Sequence, residues 1–394
     1  MLNIAICTRE FRPHTNFGGM ATFYDNLSDS LAFNGVHVEI FTQGIANETI
    51  NLESGVVVHY ITVNRLIYKS KLHGNSRKCF SHFCFSLGRR FRATLLQRRK
   101  KIKFDFIEVH EHMGIGAALQ DLGIPINTTV HTPLYFILRK FPKTIPNLKK
   151  KTVEKILNLE RRAISGSNSV IFLSDDMRKE VSKDIEFTHM SNIQKMYNPC
   201  DIPEEIHYEA FKQKLVRILY FGRLEERKGV HLLPNILSIF KQKGIGLELN
   251  IAGEDSNYKD DSMFAYIKNQ LSVLDLKIRY YGKLSKVDLG NLILENSIVI
   301  VPSLYDNSAF AAQEAMAYGR MVLCSDKGGT SEYVGTNGLT FDPMSKKSIT
   351  DMVDQFEKAD HLKMGRAARE FSIKNFSKSS YANQYLKIVN NAVG

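Results

Sequence analysis

Long apolar runs are missing from this 394-residue chain. No window reaches the ~20 consecutive apolar residues that a bilayer-crossing helix needs, so no such helix is predicted. A secretion signal is not expected either. The N-terminus carries no basic leader and meets Arg9 and Glu10 directly after an apolar run, which predicts a first strand. Cysteine is sparse: Cys7, Cys79, Cys84, Cys200 and Cys324 form no CxxC pair and, being odd in number, cannot all pair internally. Reduced thiols are expected, and no zinc or iron–sulfur spacing appears. Neither Asp-x-Asp nor a GxGxxG dinucleotide fingerprint occurs. Metal chemistry is therefore not indicated.

Acid is absent from residues 54–104, which hold 13 basic residues. Residues 1–200 carry 28 Lys+Arg against 17 Asp+Glu, a net +11, while 201–394 carry 25 against 24, a net +1. Nearly all of the +12 excess thus belongs to the first half. Such a field attracts an anionic partner (a membrane surface, a lipid pyrophosphate or nucleic acid), unless it is simply a solvated basic face.

What is present is ordinary globular composition, 43% hydrophobic and 24% charged. The length predicts two domains. Strand-length apolar runs alternate with helical patterns in both halves. The first half predicts strands at 2–8, 37–42, 56–61, 104–110, 127–131 and 169–173, with helices such as 20–33 and 153–164. The second predicts strands at 217–221, 248–253, 278–281, 298–302 and 321–325, alternating with helices near 230–243, 262–274, 286–295 and 311–318. This alternation predicts two α/β, doubly wound parallel sheets, residues 1–200 and 201–378, with a last helix at about 379–394 packing back on the first domain. The break is placed at 197–203, where Pro199 and Pro203 oppose regular structure. Ligands of open parallel sheets bind beyond the carboxyl ends of strands, so the cleft between domains is the expected site.

Three segments carry candidate chemistry. Gly18-Gly19 precede a helix, where small residues let backbone N–H groups approach an anion. Arg223 and Lys228 follow a strand ending in Gly222 and flank a turn closed by Gly229. Arg forks onto phosphate oxygens and Lys supplies a mobile charge. In the third segment, Asp306 sits in a loop after a buried strand and Glu314 lies eight positions on, within a helix; a carboxylate there can accept two hydroxyl hydrogen bonds from a ribose diol.

Together these residues resemble the GT-B-fold glycosyltransferases of family 4, retaining enzymes with nucleotide-sugar donors. Phe221-Gly222-Arg223 with Lys228-Gly229 is similar to the family's Gly-Arg-x(n)-Lys-Gly segment, and Asp306 to Glu314 resembles its Glu-x7-Glu motif. Ala315-Met316-Ala317, Gly328-Gly329 with Glu332, the Gly18-Gly19 loop and Val130-His131-Thr132 also fit. The resemblance implies two Rossmann-like domains facing each other across a cleft. It implies that Arg223 and Lys228 bind the donor diphosphate and that Glu314 holds the ribose. Asp306, Asn307, Ser308, Ala309 and Phe310 would contact donor sugar and phosphates, while Gly282, Lys283 and Leu284 border the base. Gly19 would approach the diphosphate, and His131 would line the sugar site. Asp306 stands where the family usually has Glu, one methylene longer, which leaves the donor sugar open.

His110, Glu111 and His112 follow a strand and are read either as acceptor contacts or as a polar loop. The implied reaction is metal-independent, cofactor-free glycosyl transfer with retention. A histidine general base for inversion stays open at this stage, with His110, His112 and His131 as the candidates. The acceptor is expected to be a glycan or lipid-linked sugar in cell-surface polysaccharide or glycoconjugate assembly, at a cytoplasmic location. The alternatives are a soluble small-molecule or protein acceptor, a GT-B sugar phosphorylase or epimerase, and a nucleic-acid-binding module. On a helical wheel Phe80, Cys84, Leu87, Phe91 and Leu95 share one side, flanked by arginines, so residues 65–103 are read as a contact with an anionic membrane. Lys228 and Glu314 are expected to be replaceable without loss of the fold.

Overall fold

The computed structural model describes residues 1–14, 18–62, 79–142, 150–186, 192–206, 215–259 and 261–393, with side chains from residue 86 onward in the helix that starts at Cys79. The chain forms two compact units, Met1–Pro199 with Lys378–Gly394, and Cys200–Ser377.

The first unit holds β1 (Asn3–Thr8), β2 (His37–Gly44), β3 (Glu48–Asn51), β4 (Val57–Thr62), β5 (Phe106–His110), β6 (Ile126–Val130), β7 (Ser169–Phe172) and β8 (Ile193–Lys195). Their order in the sheet is β3-β4-β2-β1-β5-β6-β7-β8. Every pairing is parallel except β3 with β4. β1, β5, β6 and β7 are buried almost throughout, which explains the apolar or small-residue sequences of β1 and β7, while β5 and β6 also bury Glu108, His110 and Asn127. The edge strands β3 and β8 are short, polar and partly exposed, so no apolar run marks them in the sequence. The helix Lys378–Val393 belongs to this unit. It buries Tyr381, Ala382, Tyr385, Ile388 and Val389 at helical spacing, and the Tyr385 hydroxyl donates to Glu108 at 2.7 Å.

The helix Cys79–Arg98 requires a correction. Leu87, Phe91 and Leu95 are fully buried in the unit's own core. Each such burial contributes about 1.5–3 kcal/mol, so this face cannot enter a bilayer without dismantling the unit. Its basic residues are partly committed too. Arg98 grips the buried Glu39 with two nitrogens (2.7 and 2.8 Å), Arg92 pairs with Asp121 at 2.6 Å, and Arg90 and Arg99 donate to the carbonyls of Thr62 and Leu122. The side chains of Phe80 and Cys84, and residues 65–78, lie outside the described part. Among the described residues no helix is long and apolar enough to cross a membrane.

The second unit holds β9 (Leu215–Phe221), β10 (Gly246–Ala252), a small hairpin of β11 (Asn257–Tyr258) and β12 (Asp261–Ser262), β13 (Lys277–Tyr280), β14 (Ile298–Val301), β15 (Met321–Ser325) and β16 (Leu339–Phe341). The main sheet runs β13-β10-β9-β14-β15-β16, all parallel. Its core joins strand residues such as Ile218, Leu249, Ile251, Ile300 and Leu323 to apolar faces of the helices Leu233–Gln242, Met263–Leu271 and Lys346–Lys358. In both sheets the chain begins centrally, winds outward, then crosses back to the other side of the first strand. Each therefore has a switch point where two neighbouring loops leave the carboxyl edge in opposite directions: β1 and β5 in the first unit, β9 and β14 in the second.

Candidate active site

In the second unit the switch point brings together the two segments that the sequence singles out. β9 ends at Phe221 and delivers Gly222 and Arg223; a 3-10 turn, Glu226–Lys228, follows. Gly229 then takes a left-handed φ of 68°, and a β-carbon there would overlap the Pro302 carbonyl, so glycine alone lets the turn lie against the end of β14. The Leu304 N–H donates to the Arg227 carbonyl at 2.9 Å, stitching the two loops. On the other side Gly253, after β10, is pressed against the Gly222 carbonyl, and its N–H donates to Gly282 at 2.7 Å. Gly222, Gly253 and Gly282 thus pave the carboxyl edge beside Arg223.

The charges on this edge form a chain. Lys228 Nζ lies 2.5 Å from Asp306 Oδ2, and the Ser303 hydroxyl donates to the same oxygen at 3.4 Å. Burial pushes the Asp306 carboxyl up, but the Lys228 ammonium and the Arg227 guanidinium outweigh it and hold the group below the ordinary carboxylate range. For Lys228, burial wins and lowers the ammonium, with Asp306 opposing. Glu225 bridges two cations, 3.3 Å from Arg223 and 2.8 Å from Arg227. The Arg223 side chain is 54% exposed at the edge.

The loop that carries Asp306 is held from behind. Thr330 donates its N–H and hydroxyl to the Asp306 carbonyl (both 3.3 Å) and accepts the Ala309 N–H at 3.0 Å. Tyr333 donates to the Ala309 carbonyl at 3.1 Å. Asn307 and Ala309 are buried, while Ser308 and Phe310 are half-buried. The helix Phe310–Ala317 starts without a side-chain cap or an acidic first turn. Glu314 lies in this helix, half-buried, with no hydrogen bond to its carboxylate among the described residues. Burial pushes its pKa up to about 7, with Lys286 opposing and Asp201 adding to the rise. Of the segment after β13, Gly282 and Leu284 are half-buried and Lys283 is exposed.

In the first unit Gly18 precedes the helix Gly19–Phe33, again without a side-chain cap or first-turn acid. His110 and Glu111 do not face outward, which corrects their reading as acceptor contacts. His110 is fully buried and its Nε2 accepts the Arg9 N–H at 3.0 Å, tying the ends of β5 and β1 together. Glu111 is also fully buried. Its carboxylate accepts the N–H groups of His131 (2.9 Å) and Thr132 (2.7 Å), and burial raises its pKa to about 7. A strand-alternation reading could not foresee this, because the chain leaves β5 into a 3-10 turn in which Met113 takes a φ of 67°. His112, at the start of that turn, is half-buried.

His131 packs edge-on against Phe23 at 4.7 Å, and burial lowers its pKa to about 3. The neutral imidazole is thus favoured by burial. Burial lowers His110 still more clearly. Their burial therefore works against either ring as a general base near neutrality.

Sequence reasoning missed several residues that fix this geometry. Glu160 accepts three backbone N–H groups, from Met113, Leu134 and Tyr135, at 2.8 to 3.0 Å. Thr330, Glu225 and Arg227 act on the second-unit loops. Only Glu225 and Arg227 had a signal, their place inside the run from Arg223 to Lys228. Among the described residues no cluster of three or more His, Cys, Asp or Glu is arranged to hold a metal ion.

Known proteins align with both units. Residues 17–202 match the family model described as Glycosyltransferase Family 4, and residues 201–371 match Glycosyl transferases group 1. An uncharacterized glycosyltransferase of Bacillus subtilis is 25% identical over 307 residues, 74% of this chain and 80% of that protein. A D-inositol 3-phosphate glycosyltransferase of Pseudarthrobacter chlorophenolicus is 24% identical over 381 residues, 89% of this chain and 85% of that one. Among solved structures, sucrose-phosphate synthase from Thermosynechococcus elongatus superposes with a TM-score of 0.76 at 17% identity, covering 99% of each chain, a likeness of fold. With both sheets wound alike and both halves matched, the chain belongs to the GT-B glycosyltransferases of the family 4 type.

Proposed function

We propose that this glycosyltransferase takes a sugar from a nucleoside-diphosphate donor, with retention and without a metal at the diphosphate. The observation that carries the reading is the cationic edge at the β9/β14 switch point, where Lys228 pairs with Asp306, Arg227 adds its charge there, and Arg223 and Arg227 share Glu225. Negative charge develops on the departing diphosphate as the bond to the anomeric carbon breaks, and fixed cations there stabilise the transition state more than the ground state. Arg223 forks onto the phosphate oxygens, Lys228 follows the leaving charge, and the uncapped helix Phe310–Ala317 adds its dipole. Glu314 takes the ribose hydroxyls, and Gly282, Lys283 and Leu284 border the base. Asp306 and the loop through Phe310 shape the sugar pocket.

Retention is proposed from the resemblance to family 4, and the burial that lowers His110 and His131 works against either ring as the base of an inverting attack. The acceptor oxygen then attacks from the face that the diphosphate leaves, and passes its proton to the departing phosphate oxygen. The proposed acceptor is a glycan or lipid-linked sugar used in cell-surface polysaccharide or glycoconjugate assembly on the cytoplasmic side. Its support is the exposed basic row Arg89, Arg90, Lys100, Lys101 and Lys103, which suits adsorption to an anionic leaflet by charge alone.

A donor-hydrolysis screen over UDP-, GDP- and ADP-sugars, with and without excess EDTA, tests the reading. One donor is expected to be consumed equally in both arms, releasing sugar of unchanged anomeric configuration. No consumption of any donor, restoration only by added Mg²⁺ or Mn²⁺, or an inverted product would each remove the corresponding part.

A further inference from the structure

Arg227 lies next to Lys228, yet its side chain turns back into the protein. One guanidinium nitrogen donates to the Tyr305 carbonyl at 3.3 Å and the other to Glu225 Oε1 at 2.8 Å. Its own carbonyl accepts the Leu304 N–H at 2.9 Å. Arg227 is thus bonded to two consecutive residues of the facing loop: Leu304 through its backbone, and Tyr305, directly before Asp306, through its side chain. Through Glu225 it also reaches Arg223, 3.3 Å from the other carboxylate oxygen. The two groups proposed to meet the diphosphate, Arg223 and Lys228, therefore share one brace.

We propose that Arg227 is a positioning residue, whose guanidinium fork locks the loop bearing Asp306 against the turn bearing Lys228 and orients Arg223 through Glu225. The inference rests on the donor-site reading above and adds a residue to it. A fork is what the geometry uses. Two planar donors reach two acceptors on different loops, which the single ammonium of a lysine at the same position cannot do with one fixed geometry. Half of the arrangement would survive loss of the side chain, because the bond between the Arg227 carbonyl and the Leu304 N–H is backbone. Removal should loosen the loop rather than unfold the sheet.

The test compares the full chain with R227M, R227K and K228A. Calorimetric titration with UDP, GDP and ADP is combined with amide exchange of residues 303–306 and thermal unfolding. For whichever diphosphate the parent binds, R227M and R227K are both expected to bind about tenfold more weakly, the scale of a small misplacement of binding groups. Exchange at 303–306 should quicken while the strands β9 and β14 and the unfolding midpoint stay unchanged. Parental affinity in R227M would overturn the proposal. So would full rescue by R227K, which would make Arg227 a bare charge, or a weakened affinity that merely follows a lowered midpoint. If the parent and K228A alike bind none of the three diphosphates, the donor-site reading itself falls. Binding lost in K228A but intact in R227M refutes the role of Arg227 alone.

Discussion

Replacing Lys228 with methionine should weaken the second unit as well as the reaction. The ammonium and the Asp306 carboxylate lie 2.5 Å apart, with 24% and 12% of their side chains exposed. Breaking a fully buried pair from one side costs about 3–5 kcal/mol, whereas exposed pairs contribute about 0.2–1 kcal/mol. With this residual exposure, about 2 kcal/mol is expected, seen as roughly 30-fold faster amide exchange in β9 and β14 where exchange follows opening of the sheet. The double variant K228M/D306N leaves no unpaired charge and should recover most of that loss. The pH dependence changes sign. In the parent the Asp306 carboxyl is held low, so its contribution is fully present above the unfolded value near 4 and is lost as pH falls through the folded one. In K228M burial acts with less opposition and raises the group, so the penalty is present at pH 8 and is relieved on acidification toward pH 5. Turnover should fall in parallel by about 2–4 kcal/mol of transition-state stabilisation. If K228M and the double variant exchange alike, and K228M gains nothing relative to the parent on acidification, the pair is not coupled and the reasoning fails.

Glu314 should make nucleoside-diphosphate affinity rise between pH 6 and 8, because burial keeps the carboxyl protonated up to about 7 and only the carboxylate accepts both ribose hydroxyls. E314Q should bind weakly with no such rise in titration calorimetry, and a parental profile in E314Q would refute the assignment. Glu39 is fully buried; burial opposes its charge, but hydrogen bonds from His59, Arg98 and His37 bring its pKa down to about 2. Its stabilisation is present above pH 4 and lost as pH falls toward 2, and R98M should cost the first unit about 3 kcal/mol at pH 7 in urea unfolding. Cosedimentation with anionic vesicles should be strong at low salt and absent at high salt, since Leu87, Phe91 and Leu95 are engaged in the core. Salt-resistant binding would restore insertion, and failure to bind at low salt would remove the membrane.

Most of the main strands were legible because strands buried on both faces must be apolar along their whole length, as in Ile298–Val301. Gly229 at the second switch point stands out because a β-carbon there would overlap the Pro302 carbonyl of the neighbouring loop. The edge strands β3 and β8 were not legible, since partial exposure removes the apolar pressure that writes a pattern. The helix over 79–98 shows the same limit from the other side. Its amphipathic stripe is read equally well as a surface for lipid or for core, and only its packing separates the two.

For the site, sequence by itself determined the residue types and their order: a cation pair after one central strand, a carboxylate and a helix after the next, paired glycines before the first helix. These are local, since each follows the end of its own strand. The pairing of Lys228 with Asp306 was decided 78 positions apart in the chain, where β9 and β14 lie side by side. The same holds for the turning inward of Glu111. Alternation along a strand predicts faces only while the strand lasts, and here the chain leaves β5 into a tight turn whose exposed-looking acid is used to satisfy the backbone N–H groups beyond β6. Sequence names the groups that can carry charge; tertiary structure decides which meet a ligand and which are consumed in holding the others still.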